Sequence, residues 1–389
     1  MQKIVYYGYN ESVLDFLKIS INNNTKLYFN WQINDTDIQD EINNLVECSR
    51  LLSPNFYFYI NETVNWDEID MMLLSIDVDR DNFAQKNSWI QKVVTEAVAN
   101  GFNGIVVLDS NKDYLLINEI LKYTGLSSRQ VLGLGTSIES EVVARMVAKK
   151  LGINSNYIQT SVIGTRGKSF VLRSKGRVAE ASLMSLIVQE KNMFSVKSMQ
   201  EISREYKELA EKTRKLVFSS VLNKILMAMD TSEQFIITLV HSRNEEIESY
   251  SSPVLVGKMG VIELIKVNYT EDEQETLNEI KKAINDELDR YKLRWGLTNG
   301  KRKLQLSVTT WLEYGGDYNC LWIYAEVEKY NTNGVNREEF LDKYQDFLKV
   351  APSKMLQKRL DREYEKLSGY SIYQSVKKVK ENEKKFVKG

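Results

Sequence analysis

Residues 131–169 read VLGLGTSIESEVVARMVAKKLGINSNYIQTSVIGTRGKS, and the reading of the whole chain turns on them. A Gly133-Leu134-Gly135-Thr136 turn opens a helix that begins Ile138-Glu139-Ser140. A Val162-Ile163-Gly164 run then leads into Thr165-Arg166-Gly167-Lys168-Ser169, so the two bends carry a carboxylate, Glu139, and a guanidinium, Arg166. With a pKa above ~12, a guanidinium keeps its proton at neutral pH and cannot shuttle it. The single histidine, His241, lies far away after the apolar run FIITLV and is expected at the C-terminus of a helix. One histidine also excludes a multi-histidine metal site, and no metal is expected.

Around this segment the composition bounds the problem. A chain of 389 residues, 43% of them hydrophobic, is long enough for a large core and for two or three domains. Lys+Arg 52 against Asp+Glu 53 leaves a formal net charge of -1, so no global field argues for nucleic acid or an anionic membrane. The N-terminal MQKIVYYGYNESVLDF lacks a signal-peptide pattern, and no apolar run approaches the ~20 residues of a membrane span, which points to a cytoplasmic chain. Cys48 and Cys320 show no metal spacing and are expected as buried free thiols.

Strand patterns at 3–7, 26–29, 56–60, 71–76 and 104–108 alternate with helical ones, including 88–100, as in a doubly wound parallel sheet. Two long helical patterns follow at 199–218 and 221–240. After SSPVLVGKMGVIELIKV, an acidic stretch opens another helix. Beyond Trp295, LQLSVTTWLEY and CLWIYAEVEKY alternate in aromatic-rich fashion around GGDYN, a hairpin signal, and helical patterns follow at 337–350 and 353–367. The lysines of 371–388 make the end locally basic.

The segment 131–169, together with IDMMLLSIDVD and the run from Gln85 to Thr136, resembles the lactate/malate dehydrogenase family over about residues 1–293. The resemblance implies an α/β architecture: a Rossmann-like domain at 1–136, an α+β dehydrogenase-type domain at 137–293, and an appended hairpin-plus-helices segment at 294–389. It also implies pairing of subunits into a homodimer.

The family's reactive residues are replaced. Its glycine-rich first turn lets backbone amides approach a pyrophosphate. Here Gly8 is kept, but Asn10 and Val13 stand at the next two glycine positions, Glu11 would repel phosphate, and Asp77 takes a further small position. No carboxylate stands near Asn30 and Trp31 to hold a ribose, so NAD is not expected to bind and no cofactor is assigned. Arg166 occupies the catalytic histidine's place, Glu139 that of its orienting aspartate, and Val142 that of the substrate-clamping arginine. Arg80 matches the polarising arginine behind a shortened mobile loop, Ser110-Asn111 match the Asn-Pro turn, and Lys224 matches a substrate-facing threonine. Glu139 and Arg166 are expected to form a static ion pair.

These replacements point to a catalytically inactive, dehydrogenase-like pseudoenzyme serving as a scaffold, regulatory or partner-binding subunit. The alternatives are a diverged oxidoreductase or other enzyme in the old cleft, and a small-anion sensor in which Arg80, Arg166, Lys168 and Lys224 converge. A protein partner is expected at the appended segment, through Trp311, Tyr314, Trp322, Tyr324 and Tyr330. The same aromatics would equally serve as packing on a two-stranded ribbon.

Overall fold

In the computed structural model the described residues are 1–33, 38–188, 194–230, 234–243 and 248–294, then 323, 326–327, 329–331, 334–350, 354, 357–358, 361–362, 364–365, 369–382 and 386–389. The chain divides into two compact units, Met1–Lys292 and Leu293–Gly389.

The first unit begins with the alternation its sequence prescribes. Strands β1 (Gln2–Gly8), β2 (Leu27–Gln32), β3 (Phe56–Ile60), β4 (Met71–Ser75), β5 (Ile105–Asp109) and β6 (Val131–Gly133) pair in parallel in the order β3-β2-β1-β4-β5-β6. The helices between them are α1 (Glu11–Asn22), α2 (Gln39–Leu52), α3 (Phe83–Ala99) and α4 (Asp113–Thr124). Successive strand residues face opposite layers: Ile4, Tyr6, Met71, Leu73, Ile105 and Val107 join one apolar cluster, whereas Val5, Met72, Leu74, Val106 and Leu108 join the other. That period of two, with every residue of β4 and β5 buried, is the signature of a parallel sheet covered on both faces.

The sheet continues past β6 with reversed polarity. Helix α5 (Ser137–Leu151) leads to β7 (Ile158–Gln159), β8 (Val162–Thr165), β9 (Lys168–Val171), β10 (Arg177–Val178), β11 (Ala181–Ser182) and α6 (Leu183–Val188). Then come α7 (Val196–Asp230), β12 (Phe235–Arg243), β13 (Glu248–Gly257), β14 (Gly260–Leu264) and α8 (Glu271–Arg294). β12 adds antiparallel to β6, and β13, β8 and β9 follow, with β14 pairing β13.

Two sequence expectations fail here. The helical patterns 199–218 and 221–240 are one 35-residue helix, α7, followed by a strand. Ser219-Ser220 contains no helix breaker, so the helix runs through. FIITLVHSR, rich in β-branched residues, instead pairs along its length with β13, from Phe235↔Val256 to Arg243↔Glu248. His241 is therefore not at a helix end. It is a buried strand residue, its Nε2 3.1 Å from Ser252 Oγ. Cys48, expected buried, is an exposed free thiol on α2, and Cys320 lies outside the described residues.

The second unit has its own core. β15 (Val335–Asn336) pairs antiparallel with β16 (Phe386–Val387), and α9 (Arg337–Val350) and α10 (Ile372–Glu381) pack with them around Phe340, Phe347, Ile372, Val376 and Val379. The expected hairpin is not borne out in its second strand. Ile323, Glu326, Val327, Lys329, Tyr330 and Asn331 are helical, and Ile323, Val327 and Tyr330 enter the core at helical spacing. Its first strand lies outside the described residues. Among the described residues, no helix is long and apolar enough to cross a membrane.

Candidate active site

In a doubly wound sheet, ligands bind outside the carboxyl ends of the strands where the strand order reverses, here beyond β1, β4 and β5. What occupies that edge decides what the chain can bind. Gly8 closes β1 with φ +103, and a Cβ there would lie 2.0 Å from the Ser75 carbonyl oxygen. The glycine is needed for strand packing, whatever its neighbours do.

Asn10, at the second glycine position, is the N-cap of α1. Its Oδ1 accepts from Ser12 N at 2.8 Å, and its Nδ2 donates to Asp109 Oδ2 at 2.6 Å. An N-cap side chain satisfies one of the helix amides that would otherwise be open to an anion. Asp109, buried at the end of β5, also accepts from Arg214 Nη2, and the two side chains are only 1% and 11% exposed. Asn10, Asp109 and Arg214 thus form a bar across the edge from the β1–α1 turn through β5 to α7. Val13 is fully buried in the core, and Glu11 pairs with Lys215 of α7. Where a ribose-holding carboxylate would stand, Trp31 donates its Nε1 to Gly8 O at 2.9 Å beneath Tyr9, and Asn30 donates to Glu62 O at 3.0 Å.

At the catalytic positions the expected Glu139–Arg166 ion pair is absent. Arg166 instead sends Nε and Nη2 to Glu211 of α7 at 3.3 and 3.4 Å, with Asp77 3.9 Å from Nη1. Burial works against its charge, but Glu211, Asp109 and Asp77 outweigh it and hold the guanidinium above its usual range. Glu139 is 5% exposed, and its Oε2 is buried with no hydrogen-bond partner. Burial pushes its carboxyl above the ordinary glutamate range, opposed by its backbone amide and by Arg214 and Arg166. The physical reason for the missing pair is α7: the long helix brings Glu211 to the turn of Arg166 and Arg214 to Asp109, so both arginines are already engaged. Lys207 of the same helix donates to Gly167 O at 3.3 Å, and burial lowers its pKa.

The remaining positions differ in their surroundings. Val142, at the substrate clamp, is 3% exposed within the core. Lys224 pairs with Glu141 of α5, whereas Arg80 and Lys168 are exposed. Asn111 holds the loop after β4: its Oδ1 accepts from Val78 N at 2.9 Å and its Nδ2 donates to Val78 O at 3.0 Å. The rest of that loop, 79–82, closes on itself, with Asp79 Oδ1 accepting from Asp81 N and Asn82 N. Asp113 accepts from Gly135 N at 2.7 Å and Tyr114 N at 2.9 Å, while burial pushes its carboxyl up to about 7. Ser140 Oγ donates to Thr136 O and accepts from Val162 N, both at 2.9 Å, tying α5 to β8.

Arg214 and Glu211 were not singled out from the sequence. Their signal was only the length of α7, which the sequence divided in two. Of the aromatics assigned to a partner surface, Trp311, Tyr314, Trp322 and Tyr324 lie outside the described residues. Tyr330 is 4% exposed and belongs to the core of the second unit, so it cannot present its ring to a partner.

Comparison with known proteins finds similarity to two different families along the chain. Residues 318–388 match the family model described as "Uncharacterised protein family (UPF0223)". The UPF0223 protein YfdD of Lactococcus lactis is 46% identical over 67 residues, 17% of this chain and 72% of that protein. An L-lactate dehydrogenase of Mycoplasma capricolum is 23% identical over 214 residues, 52% of this chain and 67% of that enzyme. Among solved structures, a lactate dehydrogenase from a Medee basin deep-sea metagenome library superposes with a TM-score of 0.67 at 20% identity, covering 75% of this chain and 99% of the other.

Proposed function

We propose a non-catalytic role for this chain, which belongs to the UPF0223 family through its C-terminal segment and is a lactate/malate dehydrogenase homologue through its body. The body is a pseudoenzyme scaffold that carries the UPF0223 unit as a partner-binding or regulatory module. The observation that supports this reading best is the Asn10–Asp109–Arg214 bar, which fills the ligand-binding edge of the sheet with internal hydrogen bonds.

Hydride transfer to a 2-keto acid needs a group that exchanges a proton and cations free to hold a carboxylate. Arg166 at the histidine position does not exchange one, and Arg166 and Arg214 are each engaged by carboxylates. The same pairing disfavours the small-anion sensor, because a bound anion would have to displace Glu211 or Asp109. A second copy of the chain is the expected partner of the body, with exposed Leu216 and Met227 on α7 and Leu51 and Leu52 at the end of α2 available for burial. In the UPF0223 unit, the exposed Tyr373 and Phe386 replace Tyr330 as candidate contacts.

Calorimetric titration with NADH tests the reading, together with turnover assays on pyruvate and oxaloacetate. No saturable binding and no turnover are expected. Micromolar affinity for NADH, or oxidation of NADH coupled to either keto acid, overturns the pseudoenzyme assignment. Light scattering that gives a monomer mass refutes the dimer.

A further inference from the structure

Away from the old active site, β3 stands at one end of the large sheet and, among the described residues, pairs with β2 alone. Leu27 N donates to Asn55 O at 3.2 Å and Asn61 N donates to Trp31 O at 3.0 Å, so the odd-numbered residues of 55–61 aim their backbone groups at β2. Phe56, Phe58 and Ile60 therefore aim theirs away from the sheet. Of these groups, Phe56 N is held by Ser53 O at 3.0 Å. Such an edge is usually blunted by lysines, a proline within the strand or a bulge. Here residues 51–60 read LLSPNFYFYI, without a charged side chain in a chain that is 27% charged, and Pro54 precedes the strand. The same stretch holds an exposed apolar group: Leu51 is 82% exposed, Leu52 62% and Tyr57 45%. Leu51 and Leu52 end α2, which packs on β3.

We propose that this edge joins two copies of the chain, β3 of one pairing antiparallel with β3 of the other. The proposal rests on the reading of the body as a dimer and names its interface. The outward groups are spaced symmetrically about Phe58, so an antiparallel copy centred there sets Phe58 against Phe58 and Phe56 against Ile60. The two Phe58 residues exchange backbone bonds, and Ile60 N of each copy donates to Phe56 O of the other. The intervening pair is Tyr57 with Tyr59, an aromatic match on the close, non-hydrogen-bonded side. A net charge of -1 on each chain sets up no appreciable repulsion between copies. A foreign strand would have to bring the aromatic and apolar matches that this one supplies to itself. The arrangement closes at two, because each copy spends its β3 edge on the other.

Light scattering and sedimentation over a concentration series give the mass and dimer Kd of the full chain, and hydrogen exchange followed by mass spectrometry reads the backbone of 56–60. A dimer is expected, with exchange at 56–60 slowing as concentration rises. Tyr57→Lys, at an exposed position, should raise the dimer Kd by about tenfold, because it removes the Tyr57–Tyr59 match twice and sets two like charges diagonally across the dyad. Its far-UV circular dichroism should match the parent's, and Tyr57→Phe should keep the parent Kd. Leu216→Lys/Met227→Lys, on α7, should leave dimerisation unchanged. Loss of the dimer in that α7 variant while Tyr57→Lys still pairs overturns the edge and leaves the dimer standing. Equal Kd for Tyr57→Lys and the parent, or exchange at 56–60 that ignores concentration, likewise refutes the edge, and a monomer at every concentration removes both readings.

Discussion

Replacing Arg214 with methionine should strip Asp109 of its charged partner without opening a large cavity. The pair is buried, 11% and 1% exposed, so the carboxylate would be left inside the protein with Asn10 Nδ2 as its remaining side-chain donor. Breaking one half of a buried ion pair costs ~3–5 kcal/mol, and the retained Asn10 bond puts the expectation near the lower figure, about 3 kcal/mol. For a body of this size, at roughly 2 °C per kcal/mol, the melting temperature should fall by roughly 6 °C. Circular dichroism melts of Arg214→Met, Asp109→Asn and the double variant form a cycle. The double variant should lose less than the sum of the two single losses by at least ~2 kcal/mol, since it removes both charges together. A loss below about 1 kcal/mol for Arg214→Met would place the pair with solvent-screened surface bridges and refute the closed bar across the sheet edge.

Three further outcomes follow from the same structure. Glu139→Gln should be neutral or stabilising: the glutamate's pKa is raised by burial, so the folded state favours its protonated form. The stability that this proton contributes is complete below the unfolded pKa and is lost as pH rises through the folded one, so the advantage of the glutamine variant should grow with pH; an advantage that shrinks with pH would show an ionised Glu139. Reinstalling a clamp by Val142→Arg should destabilise the body by about 3 kcal/mol or more, because the position is 3% exposed in an apolar core, and a variant as stable as the parent in urea melts would contradict that packing. Residues 293–389 expressed alone should unfold cooperatively around their own core, and a non-cooperative melt would show that this unit depends on the body.

The parallel half of the sheet was legible because its signal is local. Runs such as MMLLS and IVVLD are buried on both faces, and alternate residues of one strand serve two different cores. Replacements at Asn10, Val13, Val142 and Arg166 were equally visible, since each sits in a motif with fixed spacing. The new partner of each was not. Glu211 and Arg214 lie about 45 and 105 residues from the groups they engage, on a helix whose outward pattern gives no hint of which turn meets the sheet edge. In the C-terminal unit, LWIYAEVEKY supports both a period of two and a helical spacing of Ile323, Val327 and Tyr330. Only packing against α9 and α10 chooses between them.

A dehydrogenase edge that had only eroded would leave unpaired groups where ligand atoms once completed them. Here the Ser12 amide of α1 is capped by Asn10, the carboxylate closing β5 is paired with Arg214, and the arginine in the histidine's place is held by Glu211. Each partner comes from within the body, and two of the three come from α7. These intramolecular bonds stabilise the folded state independently of any ligand concentration. Glu139 Oε2 remains at this edge as a buried oxygen without a hydrogen-bond partner, and burial holds its carboxyl above the ordinary glutamate range.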